Sequence, residues 1–129
     1  MNPKGFFLQL NLPEKLTVYR GCSTNSVDGL SWTFDIKKAK FFAKRRFDLF
    51  SKNSFMIIRI ISDIRCPEEQ QKYLNMPFEE TYIAHATVDK KDCLFFDGRG
   101  ESELFTCKAD IYDSILFESL DDINAYEVD

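Results

Sequence analysis

The 129-residue chain has one histidine, four cysteines with no close pair among them, and no apolar run approaching a membrane helix. Each shortage removes a class of function. Structural zinc sites show ligands paired at close spacing, whereas Cys22, Cys66, Cys93 and Cys107 are scattered, so no metal site is expected. They read as free thiols, several of them buried. Cys22, beside Arg20, has the best case for access, but the only histidine, His85, is far from it in sequence and a Cys–His nucleophile is not expected. A spanning helix needs about 20 apolar residues, so no membrane partner is expected. The opening MNPKGFFLQLNLPEK is too short and too interrupted for a signal peptide, and the expected location is cytoplasmic. Basic residues are not in excess, at 17 Lys and Arg against 21 Asp and Glu for a net charge of −4. Such a balance does not announce a nucleic-acid binder, although it leaves room for a local basic patch. Internal repeats, low-complexity tracts and long linkers are also missing.

What is present suits one globular domain over residues 1–129, 44% hydrophobic and 29% charged, with 13 Phe for an aromatic-rich core. Residues 6–12 alternate partly and suggest an edge strand or packing arm. KLTVYR at 15–20 is β-branched and aromatic and predicts a strand, ended by Gly21, with a loop at 22–29. LSWT at 30–33 predicts a second short strand, and Thr33 or Asp35 then caps a helix. Ile36, Ala39, Ala43, Phe47 and Phe50 recur at helical spacing and mark its buried stripe. SFMIIRII at 54–61 is nearly continuous in apolar residues and predicts a central strand. Pro67 with Glu68 and Glu69 opens a short helix over 67–75. Strands follow at 81–88, 93–96, 102–107 and 112–117, before an acidic tail. Six or seven short strands and two helices indicate an α+β fold of mainly antiparallel strands.

Three segments stand out against this background. Tyr19-Arg20-Gly21 closes a strand, Ser31-Trp32-Thr33 leads into the helix, and Glu101-Ser102-Glu103 enters a strand after the turn Asp97-Gly98-Arg99-Gly100. In this order they resemble the R-S-E class of mono-ADP-ribosyltransferases over residues 17–105, with Trp32 and Thr33 standing where the family pattern has Thr and Ser. Each motif alone is weak, and the specificity lies in their order and placement. The resemblance implies an ADP-ribosyltransferase-like fold of split antiparallel β-sheets with few helices around an NAD cleft. It also implies transfer of ADP-ribose from NAD to a macromolecular acceptor.

Residue by residue, the resemblance makes Arg20, Ser31, Glu101 and Glu103 the catalytic set. Arg20, Gly21, Ser31, Thr33 and Glu103 would bind NAD as substrate. Cleaving the nicotinamide–ribose bond generates an oxocarbenium-like centre, which a nearby carboxylate stabilises, and this role falls to Glu103. An arginine fork suits pyrophosphate oxygens, and this falls to Arg20. Ser31 would hold Glu103 in position, and Gly21 would leave backbone open to the nicotinamide amide. Glu101 shares a strand face with Glu103 by the two-residue period and would orient a guanidinium acceptor, so a protein arginine is the first expectation. Phe95, Phe96, Arg99 and Glu101 would recognise the target. A nucleic-acid acceptor, NAD hydrolysis and a non-catalytic binding module remain alternatives. By family analogy alone the setting would be a toxin or a phage or anti-phage effector, with an antitoxin as a possible partner.

Plainer roles exist for every one of these residues. Arg20 suits a surface salt bridge, Ser31 a position near a helix cap, and Glu101 and Glu103 the solvated side of an alternating strand. Trp32 reads as core, and His85 as a partly buried histidine on an apolar strand. The basic run from Lys37 to Arg46 reads as a solvated helix face, with a phosphate-contacting patch as the sharper option.

Overall fold

The computed structural model describes residues 12–26, 29–96 and 103–128. Within them, β1 (Lys15–Ser23), β2 (Ser31–Thr33), β3 (Thr81–Asp89), β4 (Leu94–Phe96), β5 (Glu103–Phe105) and β6 (Asp110–Phe117) build one antiparallel sheet, with strand order β4-β5-β2-β1-β3-β6. Four α-helices accompany it: α1 (Ile36–Phe50), α2 (Phe55–Asp63), α3 (Pro67–Leu74) and α4 (Leu120–Ala125). The architecture is therefore α+β with an antiparallel sheet. Where two small sheets were expected, the strands join into one. Its halves meet at a single registered pair, Tyr19 with Thr33.

The alternation of β1 sorts side chains to the two faces of the sheet. Leu16, Val18 and Cys22 join Trp32, Ala84, Ala86, Val88, Cys93 and Leu104 in one buried cluster. On the opposite face, Ile83 and Phe117 meet Ala39, Ala43 and Phe47 of α1 and Ile123 of α4. Helix α1 begins as its sequence predicts. The Asp35 carboxylate accepts from the Lys37 amide at 2.9 Å, and the Thr33 hydroxyl accepts from the Asp35 amide at 3.0 Å. The small side chains of Ala39 and Ala43 let the helix settle directly on β1 at Gly21. A Cβ there would lie 2.0 Å from the Ala39 carbonyl oxygen and 2.5 Å from the Ala43 nitrogen.

Residues 54–61 are not a central strand but most of helix α2, Phe55–Asp63. A short apolar run fits either element by periodicity alone. Two local features decide it. Ser54 caps the helix, its hydroxyl accepting from the Ile57 amide at 3.4 Å and donating to the Asp48 carbonyl at 2.8 Å. Both edges of the central strand β3 are also already taken, by β1 and β6. The acidic tail holds a second unforeseen helix, α4. Ser119 caps it, Asp121 and Asp122 occupy its positively polarised first turn, and Ile123 is fully buried. Lys40 of α1 closes its other end, donating to the Asn124 and Tyr126 carbonyls at 2.8 and 2.9 Å. Of the expected arm at residues 6–12, all but Leu12 lies outside the described residues.

Candidate functional site

Beyond the pair of Tyr19 with Thr33, strands β1 and β2 share no further register, and the Arg20 side chain takes over where the ladder stops. Its Nε donates to the Ser26 carbonyl at 3.0 Å and its Nη1 to the Ser31 carbonyl at 2.8 Å. Gly29 leaves room for this fork, since a Cβ there would lie 2.1 Å from Nη2. Arg20 thus fixes the loop that delivers Ser31. A lysine, with one point charge in place of a planar fork, cannot reproduce both bonds at these angles.

Ser31 and Thr33 share one face of β2 by the strand period. Thr33 pairs with Glu103 across β2 and β5, which brings the Glu103 carboxylate beside Ser31. The Ser31 hydroxyl donates to Glu103 Oε1 at 2.5 Å, a short, charge-assisted bond. Trp32 and Leu104, the intervening residues, point to the other face and are fully buried there. They anchor the two short strands, and the Trp32 indole donates to the Gly29 carbonyl at 3.1 Å.

Ser31 and Glu103 open into a cavity of about 780 Å³ between the sheet and α1, within the span of about 300–1,000 Å³ usual for small-molecule sites. Tyr19, Arg20, Gly21, Trp32 and Thr33 contribute to its strand wall. The opposite wall belongs to α1, with Lys38, Phe41, Phe42, Arg45, Arg46, Leu49 and Phe50. The Arg45 guanidinium lies 6.0 Å from the Phe41 ring centroid and that of Arg46 lies 5.3 Å from the Phe50 centroid, within cation–π range. One carboxylate therefore shares a concave site with several cations and exposed aromatic rings. The basic run is not simply a solvated helix face, because Lys38, Arg45 and Arg46 turn into the cavity. Phe50, expected in the buried stripe, is half-buried and lines this wall, while Phe41 and Phe42 went unassigned in the sequence. Their signal is a second stripe at spacings of three and four, from residue 38 to 49, alongside the buried one.

Two assignments change meaning. Gly21 lines the cavity, but the space its missing side chain leaves is filled by the α1 backbone. The Thr33 hydroxyl is engaged at the start of α1, and the residue is buried. Arg99 and Glu101 lie outside the described residues, and of Phe95 and Phe96 only the backbone is described, in β4 next to β5. Cys22 is fully buried, and burial pushes its thiol up to about 11, which leaves it protonated and inert. His85 is 6% exposed and shares a 2.6 Å hydrogen bond with the Tyr126 hydroxyl. Burial holds its pKa below the ordinary value, against the opposing pull of Asp113. Among the described residues no helix is long and apolar enough to cross a membrane. Compared with protein-family models, with curated proteins and with solved structures, the chain finds no match.

Proposed function

We propose that the chain is a mono-ADP-ribosyltransferase that takes NAD as substrate, on an ADP-ribosyltransferase-like fold. The observation that carries this reading is the Ser31–Glu103 hydrogen bond inside the cavity, with Arg20 holding the Ser31 carbonyl. Two residues 72 positions apart in sequence meet there, and their contact supports the reading. In the reaction, the bond between ribose C1 and the nicotinamide nitrogen breaks, and its electron pair neutralises the pyridinium. Glu103 stabilises the positive charge that develops on the ribose, and Ser31 keeps that carboxylate aimed. The dinucleotide also needs cations for its pyrophosphate. Half-buried Lys38 and Arg46 supply them beside Arg20, whose Nε and Nη1 serve chiefly to shape the loop. An acceptor nucleophile then bonds to C1.

The test is release of nicotinamide from NAD by the purified protein and by Glu103→Ala. Loss of one group placed to stabilise transition-state charge costs on the order of 10²–10³ in rate. That drop is expected here, with the circular dichroism spectrum unchanged, because Glu103 is half-buried and outside both buried clusters. Undiminished turnover by the variant would remove Glu103 from the mechanism.

A further inference from the structure

The second stripe of α1 lies outside the buried cluster that seats the helix. Ala39, Ala43 and Phe47 bury the helix against the sheet, while Phe41, Phe42 and Leu49 stay 56%, 47% and 54% exposed at the cavity mouth. The two rings meet edge to face with centroids 5.6 Å apart, and Arg45 lies over the first. Exposed apolar side chains grouped in this way mark a surface that something else covers. Charge narrows the occupant. Helix α1 holds six of the 17 basic residues and, at Asp48, one of the 21 acidic ones, in a chain of net charge −4. Cations interleaved with open aromatic rings suit a ligand that brings both phosphates and flat base faces. A guanidinium acceptor would instead meet repulsion from Lys38, Arg45 and Arg46.

Resting on the transferase reading, we infer that the acceptor is a single-stranded nucleic acid, stacked by its bases on Phe41 and Phe42 and held by its phosphates at Arg45. A duplex hides its base faces, and a base inside the stack cannot enter a concave site. An unpaired base can pass the aromatic mouth towards Glu103. There a nitrogen or oxygen of the nucleic acid bonds to ribose C1 after the bond to nicotinamide has broken. Nicotinamide leaves with the electron pair, and the proton of the acceptor atom goes to water.

The full chain is given labelled NAD with a short mixed-sequence DNA strand, the same sequence as RNA, the matched duplex DNA, or nuclease-treated lysate protein. Label on a single strand, well above that on the duplex, is the expected result, with nicotinamide release rising on addition of the strand. Nicotinamide release with label confined to protein overturns the acceptor assignment and leaves the transferase standing. Absence of nicotinamide release with every acceptor overturns the transferase reading, and the acceptor role falls with it. The surface is read separately, by fluorescence anisotropy of the labelled strand without NAD. Replacing both exposed rings, Phe41→Ala with Phe42→Ala, weakens binding on the order of tenfold or more, and added salt weakens binding to the unaltered chain. Unchanged affinity in that double variant overturns the stacking site.

Discussion

The two halves of the sheet are built differently. Strands β1 and β3 pair over all nine residues of each, and β6 adds a long ladder on the far side of β3. Strands β2, β4 and β5 have three residues apiece, and one pair, Tyr19 with Thr33, ties them to the rest. The long half supports α1 and α4 and supplies most of the buried clusters. The short half carries Ser31 and Glu103. Its ladders are too brief to fix the site unaided, and side chains make up the difference. Arg20 bridges the gap between β1 and the β2 loop, and Trp32 and Leu104 pin the strands from behind. The main core and the candidate site thereby fall in different parts of one sheet, and substitutions should separate accordingly.

The largest expected effects test the long half. Gly21→Ala places a methyl group against two backbone atoms of α1 that cannot move independently. It should cost about 3 kcal/mol, at the upper end for overpacking, and a urea titration that returns the original midpoint would show that the helix is not seated by this contact. A paired measurement sharpens the contrast. Ile83 and Leu104 are both fully buried, one in each half. Ile83→Ala should cost about 3–4 kcal/mol, whereas Leu104→Ala should fall nearer 2 kcal/mol because the short strands relax around the cavity. Equal losses would erase the energetic distinction between the halves.

Arg20→Lys probes the join. Nicotinamide release should fall about tenfold as the Ser26 and Ser31 carbonyls lose the fork, while global stability changes by less than about 1 kcal/mol. Faster amide exchange at residues 31–33, with β3 unaffected, is the accompanying signature. An undisturbed exchange pattern would mean that the loop holds itself. The smallest effect is a pH dependence in the long half. His85 resists protonation in the fold, so its stabilising contribution is complete above its ordinary value of 6.5, declines as pH falls from there, and levels off below its lower folded value. Melting temperature should therefore drop more steeply in the parent chain than in His85→Gln as pH falls from 6.5 towards the lower folded value. Parallel curves would assign the acid sensitivity to other groups.

Much of the long half was legible in sequence because each cue was local. KLTVYR and TYIAHATV carry strand composition, Asp35 caps α1, and the stripe through Ala39, Ala43 and Phe47 buries as its spacing requires. Trp32 and His85 occupy the buried settings expected of them. Local cues failed where two elements compete for one composition. The apolar run of α2 suits a strand as well as a helix, and none of the nine residues of α2 is buried. An acidic tail looks featureless until Ile123 has a core to enter.

Residue types and their order along the chain determined the elements of the long half, the cap of α1 and the three motifs, because propensity, capping and period act over a few positions. Tertiary structure alone decided what those motifs do to one another. Arg20 turned to loop carbonyls because β1 and β2 part after one pair, and Gly21 came to matter for helix contact because α1 crosses there. The aromatic and basic side chains of α1 became a cavity wall because the buried stripe had already set the rotation of the helix on the sheet. Such long-range placements depend on which surfaces pack together, and no short window of sequence contains that information.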